Sequence, residues 1–494
     1  MSMTSRSPLP PDFLHALGQL LGERVSTSPS VCAHHGRDES IFEALPPDAV
    51  AYARTRDEVV AIVRLCHQHR VPLVPYGAGS SLEGHTLAAS GGLTLNLQQM
   101  DRIIAIHADD QCATVQPGVT RKALNAALRD QGLFFPIDPG ADATIGGMCA
   151  TRASGTNAVR YGTMRDNVVN LTVVTADGEL ITTARRARKS AAGYDLTRMF
   201  VGSEGTLGVI VEATVRLYPL PESVMAAVCA FPDIHSAVEV VAQTIQLGVP
   251  IARCEFVDTV AIRALNLYSK TGLPEQPHLF FEFHGSEPGV REQVAVVQAL
   301  AQDGGGAQFQ WSATPEERTR LWEARHNVYF AALQLRPGCR SVVTDVCVPI
   351  SRLADCVTAT AQDLQQSGIL APIVGHVGDG NFHVQMLVDA AQPAEVEQAE
   401  ALNARLVQRA LAMDGTCTGE HGVGLHKQGF LLDELGAPAV AVMRQIKQAM
   451  DPHNLLNPGK IFPFTAPSTA HAAPQDYPAH PDHLARPDTE PQAA

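Results

Sequence analysis

Val71-Pro72-Leu73-Val74-Pro75-Tyr76-Gly77-Ala78-Gly79-Ser80-Ser81-Leu82-Glu83-Gly84 runs a short apolar tract straight into a glycine-rich loop. The tract reads as a strand. In the loop, glycines let the backbone approach a ligand closely and turn its N–H groups toward phosphate oxygens. It is not a GxGxxG fingerprint, because no glycine stands at the required position after Gly79, and no Gly-Lys-Ser/Thr occurs to make a Walker A loop. Read alone, the loop would serve a tight turn equally well. Upstream, Thr55-Arg56-Asp57-Glu58 has the form of a capping box and opens a helical face of Val59, Val60, Ile62, Val63 and Cys66. Strand-like tracts follow at 93–97, 103–107 and 112–116, with a helix over 120–129.

Two further small-residue runs repeat the theme. Pro136-Ile137-Asp138-Pro139-Gly140 leads into Thr144-Ile145-Gly146-Gly147 and on to Ala153-Ser154-Gly155-Thr156-Asn157 and Tyr161-Gly162. Val201-Gly202-Ser203-Glu204-Gly205-Thr206-Leu207-Gly208-Val209-Ile210 is the third. Three such loops on one mixed α and β domain imply an extended cofactor lying against backbone.

Leu217-Tyr218-Pro219-Leu220-Pro221 is a natural break, since two prolines flank a short apolar tract and the glycine-dense style ends there. Beyond it, helical stretches at 234–247 and 289–302 alternate with strand-like pieces at 279–283 and 341–348, as expected of helices packed on an antiparallel sheet. The expected organisation is α+β: an N-terminal helical segment over 1–43, a cofactor domain over 44–221, a substrate or cap domain over 222–415, and a segment over 416–463 that returns to the first domain. The Pro-, Ala- and His-rich tail over 464–494 is expected to be disordered, with His471, His480 and His483 solvated.

Gly375-His376-Val377-Gly378-Asp379-Gly380-Asn381-Phe382-His383 carries the chemistry. Asp379-Gly380 is a strong signal for a two-residue type I′ turn, which would set His376 directly opposite His383. Cross-strand partners hold their Cβ atoms roughly 5 Å apart, so two imidazoles there could share one ion; an ordinary hairpin pair is the bland alternative. Gly419-Glu420-His421-Gly422 then offers a carboxylate beside a titratable base. His376, His383 and Glu420 are the expected metal ligands, and the set fits Zn, Mn or Fe(II). His421, with an ordinary pKa near 6.5, is the candidate base. Arg325, on a predicted helix in Leu321-Trp322-Glu323-Ala324-Arg325-His326, is the candidate partner for a substrate carboxylate, against a surface arginine paired with Glu323. Asn381 and Thr344-Asp345 are expected to orient the site or add contacts.

The 494 residues exceed what a single core supports, so two or more domains are expected. The formal charge of -14 disfavours phosphate backbones and excludes nucleic acid as a natural partner. Ten scattered cysteines contain no CxxC pair, which argues against an iron-sulfur cluster and for reduced thiols in a cytoplasmic chain. No stretch reaches the roughly eighteen apolar residues of a membrane span.

These loops, together with Arg160-Tyr161-Gly162-Thr163-Met164-Arg165-Asp166-Asn167 and Lys189-Ser190-Ala191-Ala192-Gly193-Tyr194-Asp195-Leu196, resemble the flavin domain of the vanillyl-alcohol-oxidase (PCMH) type. More narrowly they resemble the FAD-linked D-lactate dehydrogenases that reduce cytochromes or quinones, with glycolate oxidase flavin subunits and D-2-hydroxyglutarate dehydrogenases as near relatives. The resemblance spans about residues 40–463. It implies noncovalent FAD, with the pyrophosphate on Gly77, Ala78, Gly79, Ser80 and Ser81 and on the run Gly140 to Gly147 with Thr144 and Gly146, and with cofactor contacts from Tyr76, Pro136 and Asp138. It implies further contacts from Gly155, Thr156 and Tyr161, from Glu204, Gly205, Gly208 and Ile210, and from Asn457 in the closing motif Leu456-Asn457-Pro458-Gly459-Lys460. His85 is expected to be structural and not a covalent flavin link, and zinc or manganese is the implied metal.

The expected function is FAD-dependent oxidation of a D-2-hydroxy acid, D-lactate above others, with electrons passed to a cytochrome, quinone or electron-transfer flavoprotein. A glycolate oxidase subunit, a D-2-hydroxyglutarate dehydrogenase and a non-catalytic FAD-binding scaffold are the alternatives. A homodimer and peripheral placement at an inner membrane are compatible with the same reading.

Overall fold

The predicted capping box, helix and following strand form the first piece of the fold, in a sheet with three parallel strands. The computed structural model describes residues 8–312 and 314–463; the tail over 464–494 lies outside them. The Thr55 side chain accepts from the Glu58 N–H while the Glu58 carboxylate returns to the Thr55 N–H, and the helix Arg56–His69 buries Val59, Ile62, Val63 and Cys66. That helix is the crossover a parallel arrangement requires. It links Ala49–Tyr52 to Leu73–Tyr76, and both pair in parallel with Leu93–Asn96 between them. Val25–Ser26 adds an antiparallel edge, following the helix Pro11–Leu21 of the N-terminal segment.

A second, antiparallel sheet runs in the order Ile103–His107, Cys112–Val115, Val209–Arg216, Val168–Val174, Leu180–Thr182. Its core gathers Leu124, Ile145, Met148 and Phe200. The first and third glycine-rich loops emerge from the ends of these two sheets, after Leu73–Tyr76 and before Val209–Arg216, while the second follows Leu133–Phe134, which pairs with Tyr218–Pro219.

The cap is an eight-stranded antiparallel sheet in the order Ala307–Ser312, Ser223–Ala230, His278–Gly285, Ile251–Val257, Ile373–Gly375, Asn381–Val388, Arg340–Val343, with Val346–Cys347 also on Asn381–Val388. Side chains alternate across it with period two. Phe256 and Phe281 join the core under the helices Ile234–Gln246, Glu287–Asp303, Leu353–Ser367 and Pro393–Leu411. Val257 and Phe280 face the other way, toward Thr259–Ser269, Pro315–His326 and Val328–Leu333.

After the cap the chain runs back along the first sheet. Leu456 bridges Leu73 in parallel, Leu73 N–H donates to the Leu455 carbonyl at 2.8 Å, and Asn457 N–H donates to the Leu73 carbonyl at 2.7 Å. All ten thiols are free. No helix among the described residues is long and apolar enough to cross a membrane.

Candidate active site

The cap face that carries Val257 and Phe280 also carries the site. Val257 pairs with Val374, and the same register carried further sets His376 opposite Glu255. On the next strand His383 stands opposite Val374. Alternation therefore places Arg253, Glu255, His376 and His383 on one side of the sheet.

The turn differs from the predicted one. Val377–Asp379 is a 3₁₀ turn, only Gly380 has positive φ (86°), and Asn381 N–H donates to the His376 carbonyl at 3.3 Å. The loop is thus four residues long, and His376 sits diagonal to His383 instead of directly opposite. Diagonal neighbours on one sheet face remain within reach of rings, and the two ring centroids are 5.4 Å apart.

Glu420 closes the group, with Oε1 3.1 Å from His376 Nε2 and 3.3 Å from His383 Nε2. One ligand atom from each of the three lies within 4.8 Å of the others. Two imidazole nitrogens and one carboxylate oxygen, largely buried, form a donor set that a borderline divalent cation takes. Burial alone would raise the pKa of Glu420, but His376 and His383 hold it well below the usual carboxylate range. Burial works the other way on His376, and Glu255 and Glu420 outweigh it, leaving its pKa well above the ordinary value.

Asp345 holds the Glu420 loop. Its Oδ2 accepts from the N–H groups of Glu420 (2.9 Å) and His421 (2.7 Å) and from the Thr418 hydroxyl (2.7 Å). Asn381 Nδ2 donates to Asp345 Oδ1 and to the Val346 carbonyl, each at 2.9 Å, so its amide braces the loop. The His383 Nδ1 lies 3.1 Å from the Thr344 carbonyl.

His421 stacks on His383, centroids 5.0 Å apart and planes 12° from parallel. Its Nδ1 lies 3.4 Å from Glu83 Oε1 and 4.0 Å from Asp345 Oδ2. Burial opposes its charge, but Asp345 and Glu83 raise its pKa above the ordinary value. The expectation of an unperturbed base is corrected accordingly: two buried anions, invisible in the local sequence, face it. Glu83 in turn meets Lys427 Nζ at 2.9 Å and His426 Nδ1 at 2.7 Å.

Arg325 is no surface arginine. It is buried on the helix Pro315–His326, and its Nη2 donates to Glu255 Oε2 at 2.5 Å, with no ion pair to Glu323. Its Nε is buried with no hydrogen-bond partner, a donor free for an incoming carboxylate. Arg253 lies on the same sheet face, its guanidinium 4.7 Å from the Trp322 ring and its Nε donating to Asn157 Oδ1.

The flavin loops border a cleft lined by Tyr76, Gly77, Thr144, Gly146, Gly147, Gly205, Gly208 and Ile210 among others. A lining so short of side chains fits an extended cofactor held by backbone. Ala78, Gly79, Ser80 and Ser81 continue from it, and Ser81 donates to Asp38 Oδ2 at 2.9 Å. Other expected contacts act within the protein. Pro136 is buried, its carbonyl accepting from Asn157 Nδ2. Asp138 accepts from Thr156 Oγ1 (2.6 Å) and Asn157 N–H (3.0 Å), and Gly155 packs on the Asp138 backbone where a Cβ would collide. Tyr161 hydroxyl lies 2.8 Å from His284 Nδ1. Glu204 accepts from the N–H groups of Val423 (2.7 Å) and Gly424 (2.9 Å), and Asn457 donates to the carbonyls of Glu204 (2.7 Å) and His85 (3.1 Å). Gly140 is exposed, and His85 is buried with Nε2 3.3 Å from Glu204 Oε2.

Glu255, Glu83, Lys427 and Arg253 escape a reading of the sequence. The available signal was alternation: Arg253 and Glu255 interrupt the apolar run Ile251–Val257 at positions two apart.

Comparison with known proteins gives the family. Residues 47–184 match a family described as an FAD binding domain, and residues 220–461 match the C-terminal domain of FAD linked oxidases. The chain is 52% identical to a probable mitochondrial D-lactate dehydrogenase of Danio rerio, covering 90% of each chain. It is 44% identical to a mitochondrial D-lactate dehydrogenase [cytochrome] of Arabidopsis thaliana (92% of this chain, 81% of that one), and 37% to the glycolate oxidase subunit GlcD of Bacillus subtilis (86% and 92%). In fold it is similar to p-cresol methylhydroxylase, with a TM-score of 0.76 at 19% identity over 92% of this chain and 96% of that one. The chain belongs to the family of FAD-linked D-lactate dehydrogenases and glycolate oxidase flavin subunits, built on the two-domain PCMH-type flavin fold.

Proposed function

We propose that the protein oxidises a D-2-hydroxy acid, D-lactate above others, to the 2-oxo acid and passes the two electrons to a cytochrome, quinone or electron-transfer flavoprotein. The observation that carries this reading is the convergence of His376, His383 and Glu420 within 4.8 Å beside the Arg325–Glu255 pair. When bound, FAD supplies the hydride acceptor and a divalent cation, zinc or manganese, supplies Lewis acidity for the substrate hydroxyl. The chain does the rest. His376, His383 and Glu420 would hold the cation, Arg325 takes the substrate carboxylate through its free Nε, and His421 accepts the hydroxyl proton at Nε2, the nitrogen turned away from Glu83.

A flavin subunit of a glycolate oxidase is the second reading, favoured by the Bacillus subtilis relative, 92% of whose length is covered. It needs partner chains to complete electron transfer. A silent FAD scaffold has no use for a buried base beside an ion-binding donor set. The cytoplasmic expectation draws no support from relatives named mitochondrial; peripheral contact with an inner membrane and a homodimer remain part of the proposal. Anaerobic mixing of the purified flavoprotein with D- and L-2-hydroxy acids tests the reading: flavin absorbance should bleach with D-lactate and not with L-lactate. Bleaching by neither D-lactate nor glycolate would refute it.

A further inference from the structure

We infer that Glu255 is a positioning residue for the cation: its carboxylate fixes His376 as the Nδ1–H tautomer and ties that ring to Arg325. The inference rests on the reading of His376, His383 and Glu420 as a cation site.

Glu255 is completely buried in the middle of the strand Ile251–Val257, on a face it shares with Val257 and Phe280. A carboxylate in such surroundings persists only with strong donors. It has two. His376 Nδ1 lies 2.8 and 3.0 Å from its two oxygens, and Arg325 Nη2 donates to Oε2 at 2.5 Å. A cation takes only the neutral imidazole, and an ionised carboxylate only accepts, so in the form that would hold the cation the ring must carry its one hydrogen on Nδ1, toward Glu255. The lone pair is then on Nε2, which faces Glu420 Oε1 at 3.1 Å, inside the candidate cation site.

A carboxylate behind a ligating histidine is a general device for setting ring orientation and basicity. Here the same carboxylate also holds Arg325. The chain Arg325–Glu255–His376 therefore joins the substrate's carboxylate anchor to a cation ligand, so that neither can shift without the other.

The test is zinc affinity of the flavin-loaded protein, read by competition with a chromophoric chelator at fixed pH. Glu255→Gln keeps the shape but offers one acceptor atom, and its NH₂ must face either Arg325 or His376, both donors. Its zinc affinity should fall by about 10–100-fold, with flavin content and flavin absorbance spectrum as in the parent. Glu255→Asp keeps the charge beside Arg325 while drawing the acceptor back by one methylene, and should fall between parent and Gln. Affinity for zinc within about threefold of the parent in Glu255→Gln, where His376→Ala has lost it, overturns the inference and leaves the cation site standing. Parental affinity in His376→Ala overturns the underlying reading instead. If Glu255→Gln purifies without flavin, the Asp variant decides: parental zinc affinity there overturns the inference.

Discussion

His421 shows how far a residue's neighbours decide its chemistry. The pair Glu420-His421 was legible in the sequence because an anion beside an imidazole is a recognisable unit, whereas Glu83 was read as part of a phosphate loop and Asp345 as a minor contact. Both prove to be buried anions facing the His421 ring. They stabilise its charged form and raise its pKa, and a charged imidazole accepts no proton. The rate of flavin reduction by D-lactate should therefore rise with pH and level off above the His421 pKa, and that limb should vanish in His421→Ala. In the same variant flavin content should be parental while reduction in anaerobic stopped flow slows by about 10²–10⁴-fold, the usual worth of a positioned base. Unchanged reduction would remove His421 from the chemistry.

Elements were legible where the signal is local and illegible where it depends on a partner. The Thr55–Glu58 box needs only four residues, and it forms. Thr55→Ala should lower stability by about 1 kcal/mol in thermal melts. Glu58 adds a pH dependence. Hydrogen bonding from Arg24 outweighs burial and pulls its pKa from the ordinary value down to about 2. A carboxylate depressed in the folded state contributes stability that is complete above its unfolded pKa and is lost as pH falls toward the folded one. Melting temperature should thus drop between about pH 5 and pH 2, and less steeply in Glu58→Gln. The hairpin was misread because Asp379-Gly380 specifies a turn but not its register. The register is set by Val374 against His383 and by Gly380 packing on the Val348 carbonyl, neither visible in the dipeptide. At φ 86° and against that carbonyl, Gly380→Ala should destabilise the protein by about 1–3 kcal/mol and loosen the cation site with it, read as a lower melting temperature and weaker zinc retention.

Across the whole molecule, the flavin cleft and the proposed cation site draw on different parts of the chain, and the segment after the cap serves both. The cleft belongs to the first 210 residues, while the cation donors come from cap strands and the 419–422 loop. Dialysis against a chelator should accordingly abolish flavin reduction with the flavin still bound, and added zinc or manganese should restore it. The return of residues 416–463 is a long-range event that composition barely signals, yet it fastens the cleft. Glu204 holds the N–H groups of Val423 and Gly424, Leu456 extends the edge at Leu73, and Lys460 Nζ, fully buried, donates to the Leu87 carbonyl at 2.6 Å and to Asn457 Oδ1 at 3.2 Å. The first holds a loop on which the cofactor is expected to lie, the second backs the strand that leads into another, and the third braces Asn457. A chain ending at residue 415 retains every glycine of those loops but none of the fasteners, and buried backbone and carboxylate groups lose their partners. It should purify without flavin, its absorbance at 450 nm near zero relative to that at 280 nm. Asn457→Ala and Lys460→Met should each lower that ratio in the full chain while the cap stays intact. A flavin-saturated 1–415 fragment would mean the loops stand unaided, and that the returning segment serves only the chemistry of Glu420 and His421.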